Sequence, residues 1–373
     1  MRKVYINKAE CFSSLGFGQH HNWKAIQQQQ SGIRKIDQLG FVTDFYGGSI
    51  AEEWIADQWK TNAGETTAFT RLERLLICTL APLIEQGTVS DRTALVVSTT
   101  KGNIAALAHG KWADADINQL AQRIADYFGF TTPPIVVCNA CVSGILAIAV
   151  AKRLIQMEQF DQAYVIAGDE LTPFVASGFN SFQAMSNEPC KPFDAHRKGV
   201  NLGEAAAAVY LSTSAIEGES FEIVGEASIA DANHISGPSR TGEGLYLSIQ
   251  QALEEAQLTA DKIDCICAHG TATAYNDEME AIAFDRMGLA QKPIHSQKGY
   301  FGHTLGAAGL LEVVMLMQSM RHNELIASKG FEELGVSRAV TISTSNEKKS
   351  LQTALKTASG FGGSNTALIL SKK

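Results

Sequence analysis

Val136-Val-Cys-Asn-Ala-Cys141-Val-Ser-Gly-Ile-Leu-Ala-Ile-Ala-Val-Ala151 passes from a β-branched run into an apolar helix through a turn of small residues. A buried strand that feeds directly into a helix is the repeating unit of an α/β fold. Cys141 stands at the helix start, where unpaired N–H groups and the positive dipole end favour a thiolate. That position makes Cys141 the candidate nucleophile, with its pKa expected to be lowered. The competing reading is an inert core cysteine at a strand end.

Outward from this stretch, strand-like and helix-like segments alternate along the whole chain. Thr93-Ala-Leu-Val-Val-Ser, Pro134-Ile-Val-Val-Cys and Ala163-Tyr-Val-Ile-Ala-Gly read as buried strands, with helices over Arg71 to Glu85 and Ser143 to Met157. Ala205-Ala-Ala-Ala-Val-Tyr-Leu closes this first half. After the polar stretch Ser212 to Ser220, strands are predicted at Phe221-Glu-Ile-Val, Ile263-Asp-Cys-Ile-Cys, Ala339-Val-Thr-Ile-Ser and Ala367-Leu-Ile-Leu. Helices are predicted over Leu245 to Ala256, Asp277 to Met287 and Leu305 to Met320. Two α/β halves, 1–215 with the cysteine and 216–373 with the histidines described below, are the expected organisation.

The chain has 373 residues, 45% of them hydrophobic, enough for a large core or two fused halves. A net charge of -8 argues against broad nucleic-acid binding, while a local basic patch can still receive an acidic protein partner. Basic residues open the chain, but no apolar leader segment follows them, and no stretch approaches the length of a membrane span. Seven scattered cysteines give no disulfide framework and fit a reducing compartment. The expected location is therefore cytoplasmic.

Two histidines occupy comparable settings. His269 lies in Ala268-His-Gly-Thr-Ala-Thr273 after an apolar strand, and His303 precedes Leu305-Gly-Ala-Ala-Gly-Leu-Leu-Glu312. Small neighbours at such junctions let a substrate or another backbone come close. A neutral imidazole donates through one nitrogen and accepts through the other, so a pair beside a thiolate can stabilise negative charge and handle protons.

These motifs resemble the decarboxylating β-ketoacyl-acyl-carrier-protein synthases of the thiolase fold, over nearly the whole chain. Asn139-Ala-Cys141-Val-Ser-Gly144 resembles the nucleophile motif and Ala268–Thr273 the first histidine motif. Lys298-Gly-Tyr-Phe-Gly-His303-Thr-Leu-Gly-Ala-Ala-Gly309 is similar to the lysine and second histidine motif, and Gly360-Phe-Gly-Gly-Ser-Asn365 to the closing loop. Pro192-Phe-Asp-Ala-His-Arg-Lys-Gly with Gly203-Glu204 matches a further segment. The resemblance implies duplicated halves in a layered αβαβα arrangement and an acyltransferase that condenses an acyl thioester on Cys141 with malonyl-acyl carrier protein.

The same resemblance implies a role for each matching residue. The N–H groups of Cys141 and Phe361 would form the oxyanion hole, with Phe361 as the gate. His269 and His303 would stabilise the enolate left by loss of CO2, with Lys298 and Glu312 supporting them electrostatically. Thr271 and Thr273 would hydrogen-bond the phosphopantetheine arm, or else cap the helix that follows. No metal or bound cofactor is implied, because phosphopantetheine arrives on the carrier-protein substrate. Asp277 and Glu280 match an acidic pair, but a helix start favours acids for dipole reasons alone, and both stay outside the catalytic set.

Several features depart from the family pattern. The chain is short around Ala105 to Phe130 and between Ser186 and Lys191, and its opening strand lacks the usual glycine. A divergent compact member follows, serving a specialised polyene or polyketide-like product or fatty-acid synthesis. The expected assembly is a homodimer, with a heterodimer with a related synthase as the alternative. A partner subunit that only shapes the tunnel of an active sister chain would be expected to lose the nucleophile, which is present here. A zinc or redox reading of Cys138-Asn-Ala-Cys141 with Cys265-Ile-Cys267 is disfavoured because both pairs involve strand residues. A degradative thiolase would need a second cysteine in the closing loop, and the last cysteine is Cys267.

Overall fold

A computed structural model describes residues 2–63, 69–85, 87, 89–231 and 237–373. Ten strands organise it. In the first half these are β1 (Tyr5–Ser13), β2 (Thr93–Ser98), β3 (Ile135–Val137), β4 (Gln162–Asp169) and β5 (Ala205–Ser212). The second half has β6 (Phe221–Ala230), β7 (Cys265–Cys267), β8 (Ile294–His295), β9 (Thr353–Gly360) and β10 (Ser364–Lys372).

The strand order is β1-β5-β4-β2-β3 in one half and β6-β10-β9-β7-β8 in the other. Each half therefore reads first, fifth, fourth, second, third. The directions also agree: two antiparallel pairings are followed by two parallel ones in each half. Duplication, which periodicity can only suggest, is thus written in the topology. A short antiparallel contact, Tyr5 with Glu222 and Ile6 with Phe221, joins the two sheets.

Alternation along the strands creates the layers. Ala94, Val96, Val165 and Ala207 point to the central core, while Leu95, Val97, Ile166 and Ala208 point to an outer one. The outer core is covered by α1 (Arg71–Leu80) and α2 (Ile117–Phe128). In the second half Cys265, Cys267 and Leu370 face the centre, whereas Ile266, Leu355 and Ile369 face α5 (Glu243–Ala256) and α6 (Ala274–Arg286). Between the sheets lie α3 (Ser143–Gln156) and α7 (Ala308–His322), the latter buried from Ala308 to Met320, while α4 (Pro173–Ser181) of the first half carries Phe179. A helix apolar on all sides has to be enclosed, and here two sheets enclose it. The αβαβα arrangement is the one expected.

Three local expectations are corrected. The helix beginning at Arg71 stops at Leu80 and passes into a 3-10 turn over Ala81–Leu83, because Pro82 cannot continue the α-helical ladder. Ala339 to Ser343 forms a single bridge from Ile342 to Ile294 and no extended strand. Sequence reading overlooked β8 and β9, the latter with a lysine at its centre.

Glycine lets α3 and α7 approach closely. A Cβ on Gly144 would lie 2.8 Å from the Gly306 carbonyl oxygen and 2.9 Å from the Leu310 nitrogen. Gly144→Ala is therefore expected to lower the free energy of unfolding by about 1–3 kcal/mol, through overpacking against backbone that has no rotamer to change. Urea denaturation measures this; an unchanged midpoint would contradict the packing.

Candidate active site

The turn from β3 into α3 holds Cys141 by backbone strain and one hydroxyl. Ala140 adopts φ 43°, a left-handed conformation that costs a non-glycine residue about 1–3 kcal/mol. Ser143 Oγ offsets this by accepting from the Asn139 N–H at 2.8 Å and donating to the Ala140 carbonyl at 2.6 Å. The side chain of Asn139 meets Ser364 Oγ at 2.9 Å, which ties the nucleophile turn to the closing loop. Cys141 sits at 8% exposure on the wall of a cavity of about 500 Å³, shared with His269, His303, Thr271, Thr273 and Phe361.

His303 Nε2 lies 2.9 Å from Cys141 Sγ, and the rings of His269 and His303 meet edge to face with centroids 5.1 Å apart. The thiol is not lowered as the helix start suggests. Burial pushes Cys141 up to about 11, against the opposing pull of Lys298, the Phe361 N–H and Lys101. Removing water from around the sulfur outweighs the favourable groups. A thiol facing a neutral imidazole is the consequence, with His303 Nε2 as proton acceptor and its Nδ1 without a hydrogen-bond partner among the described residues.

Behind His269, Lys298 Nζ approaches Nδ1 at 3.4 Å and Glu312 Oε1 at 2.6 Å. An ammonium has only protons to offer, so Nδ1 accepts and the ring proton resides on Nε2. The sequence-predicted residues Cys141, His269, His303, Lys298 and Glu312 are thus brought together. Thr271 and Thr273 share a hydrogen bond between their hydroxyls at 2.8 Å, and Thr273 makes no cap bond to α6. Phe361, 37% exposed, stacks on Phe179 and packs on Phe182, and its N–H points to the sulfur.

Sequence reading missed two groups. Glu280 accepts the N–H bonds of His269 and Gly270 at 2.8 and 2.6 Å, and Asp277 accepts those of Phe193 and Thr271 at 2.7 and 3.0 Å. The acidic pair set aside as dipole compensation therefore shapes the histidine loop. Lys356, in the middle of β9, reaches Glu312 Oε2 at 2.7 Å. A lone charge between Leu355 and Thr357, in an otherwise uncharged segment just before Gly360-Phe-Gly-Gly, was the available signal. The Sγ of Cys141 and one ring nitrogen from each of His269 and His303 lie within 4.8 Å of one another, the converging group among the described residues that has metal-ligand chemistry.

Buried neutral histidines also make folding sensitive to acid. Burial drives His269 and His303 well below 6.5 and His295 down to about 3, with Lys356 adding to each effect. In the unfolded chain all three titrate near the ordinary value of about 6.5. Their folded values are depressed, so the unfolded state binds more protons as the pH falls, and stability is lost progressively from about pH 6.5 downward. Urea midpoints measured between pH 7.5 and 4.5 should fall steadily; a flat profile would contradict neutral burial.

Fold and site together define a thiolase-fold condensing enzyme. The chain belongs to the β-ketoacyl synthase family: residues 1–215 match its "Beta-ketoacyl synthase, N-terminal domain" and residues 220–332 its "Beta-ketoacyl synthase, C-terminal domain". With the family goes acyltransfer by condensation of acyl thioesters in fatty-acid or polyketide synthesis. The 3-oxoacyl-[acyl-carrier-protein] synthase 2 of Rhizobium meliloti is 32% identical over 425 positions, covering 99% of both chains. That alignment is longer than the 373 residues here, so the relative carries insertions. Among solved structures, the ketosynthase ApeO in complex with its chain length factor ApeC from Xenorhabdus doucetiae superposes with TM-score 0.88 at 23% identity, over 100% of this chain and 98% of that one. The complex AntDE:AntF, a type II polyketide acyl-carrier protein with its ketosynthase, gives TM-score 0.89 at 19% identity, over 100% and 99%. No helix among the described residues is long and apolar enough to cross a membrane.

Proposed function

We propose that Cys141 carries the acyl group and that His269 and His303 serve the malonyl half-reaction in this chain. The observation that supports this best is the 2.9 Å approach of His303 Nε2 to Sγ inside a cavity that His269 also lines. As Sγ attacks the acyl thioester carbonyl, its proton passes to His303 and then to the departing carrier thiolate, leaving acyl-Cys141. The Cys141 and Phe361 N–H groups stabilise the tetrahedral oxyanion.

Malonyl-acyl carrier protein then enters with its thioester oxygen against His269 Nε2–H and against His303 in the tautomer that carries its ring proton on Nε2. Cleavage of the malonyl C–C bond releases CO2 and leaves its electron pair in an enolate, whose carbon attacks acyl-Cys141. Collapse of the second tetrahedral species frees the thiolate, which takes a proton from solvent, and yields a β-ketoacyl-acyl carrier protein two carbons longer. Thr271 and Thr273 present hydroxyls to the phosphopantetheine arm. The reaction needs no metal or bound cofactor, because decarboxylation supplies both carbanion and driving force.

The partners proposed are an acyl carrier protein and a second copy of the chain, with a related synthase as the alternative second subunit. The domain boundary is placed between 215 and 216 and the location in the cytoplasm. The missing insertions support a compact branch making a specialised polyene or polyketide-like product. The test is intact-mass spectrometry of the purified chain after incubation with a panel of acyl carrier proteins. An acyl adduct on Cys141, followed by condensation with malonyl-acyl carrier protein, is expected. A tunnel-shaping subunit would stay unmodified.

A further inference from the structure

Lys356 lies at the centre of β9, is 0% exposed, and is not needed for the reaction as written above. Its ammonium pairs with Glu312 Oε2 at 2.7 Å and donates to the carbonyl oxygens of Cys267, Ala268 and Thr357 at 3.2, 3.3 and 2.6 Å. Glu312 is thereby gripped from both sides, by Lys298 on one oxygen and Lys356 on the other. Two of the gripped carbonyls immediately precede His269.

We propose that Lys356 is a positioning residue for the condensation: it fixes Glu312 and the backbone behind His269, and it balances the charge buried behind the two histidines. This rests on the function proposed above. Lys298 and Lys356 face the carboxylates Glu312 from α7 and Glu280 from α6, two charges of each sign. The remaining titratable groups around them add none. Burial holds the Cys267 thiol up at about 12 and the His295 ring down at about 3, while Asp277 is turned to Arg197 at 3.9 Å. Without Lys356 the cluster keeps one uncompensated negative charge in a dry interior.

That surplus has two consequences. An enolate or tetrahedral oxyanion would form in front of a net negative cluster, raising the barrier at the step where negative charge develops. It would also make both imidazoles easier to protonate, and a protonated His303 cannot accept the Cys141 proton. Lys356 is accordingly a determinant of the acid limit of the reaction as well as of its rate.

The test compares Lys356→Met with the double variant Lys356→Met/Glu312→Gln, which restores the balance between Lys298 and Glu280. In Lys356→Met, kcat for malonyl-acyl carrier protein decarboxylation is expected to fall about 10–100-fold with KM little changed, and the acid limb of the Cys141 acylation rate to move up by about one pH unit. The double variant should return the limb to its wild-type position although it has lost more hydrogen bonds. A limb that stays in place in Lys356→Met, or a double variant no better than the single one, would reduce Lys356 to a structural residue. If Lys356→Met does not fold, Glu312→Gln keeps both lysines and should move the limb down; an unmoved limb there overturns the proposal.

If the wild-type chain decarboxylates nothing, the functional reading fails separately. The charge balance is then read from ¹³C-labelled histidine resonances, assigned by their loss in His269→Ala and His303→Ala. Both should titrate at higher pH in Lys356→Met, and unchanged titration overturns the inference.

Discussion

Cys141→Ala is expected to leave no acyl adduct after incubation with acyl carrier protein and to lower condensation by on the order of 10³-fold or more. No other thiol can substitute. Cys138, three residues earlier, has its Sγ on the Thr100 carbonyl at 3.7 Å, Cys267 and Cys190 are buried, and Cys141 is the thiol that gathers with both histidines among the described residues. The variant should fold normally, because the Ser143 hydroxyl and the Ser364–Asn139 contact hold the turn and neither involves the sulfur. Intact-mass spectrometry and a thermal melt decide the matter together. Persistent condensation in a folded Cys141→Ala protein would refute the assignment of the nucleophile.

The two histidines should separate by half-reaction, in a way the structure revises. With the helix start alone activating the thiol, His303→Ala would slow decarboxylation more than acylation. Burial has raised the thiol to about 11, however, and His303 is the group in contact with it. His303→Ala is therefore expected to slow both acylation and decarboxylation, by on the order of 10²–10⁴-fold. His269 is held by Lys298 and offers its Nε2 proton to the cavity, so His269→Ala should lose decarboxylation to a similar degree while acylation changes by less than about tenfold. Rapid-quench acylation, followed by malonyl decarboxylation as a separate assay, resolves the two. Wild-type acylation in His303→Ala would restore the helix as the sole activator.

The site was legible where its chemistry leaves marks on neighbouring residues. Cys141, His269, His303 and Phe361 are each flanked by small residues, because backbones or substrates must come close there, and such residues stand out against an apolar strand or helix. Lys356 left a contrary mark. One lysine beside Leu355, among Thr, Ala, Ser and Gly, weakens the strand signal of Thr353–Gly360, so the buried charge concealed its own strand. Ala339–Ser343 erred in the other direction: its β-branched residues suit a strand, but β8 offers only Ile294–His295 as a partner, and Val340 and Ile342 are buried in an outer core without a ladder. The roles of Glu280 and Asp277 depend on which backbone N–H groups fold over them, and spacing does not carry that. The direction of the thiol shift likewise depends on how much water the finished fold excludes.

The matching strand orders bear on how such a site arises. Cys141 follows the third strand of its half and His303 the third strand of the other, and these two equivalent ends meet at 2.9 Å. In a symmetric pair of identical half-length chains, those ends would present the same residue to each other, sulfur to sulfur or imidazole to imidazole. An unlike pair requires the copies to mutate independently while remaining side by side. Tandem duplication permits that, so the two matching ends of the fold are free to carry two different chemical roles.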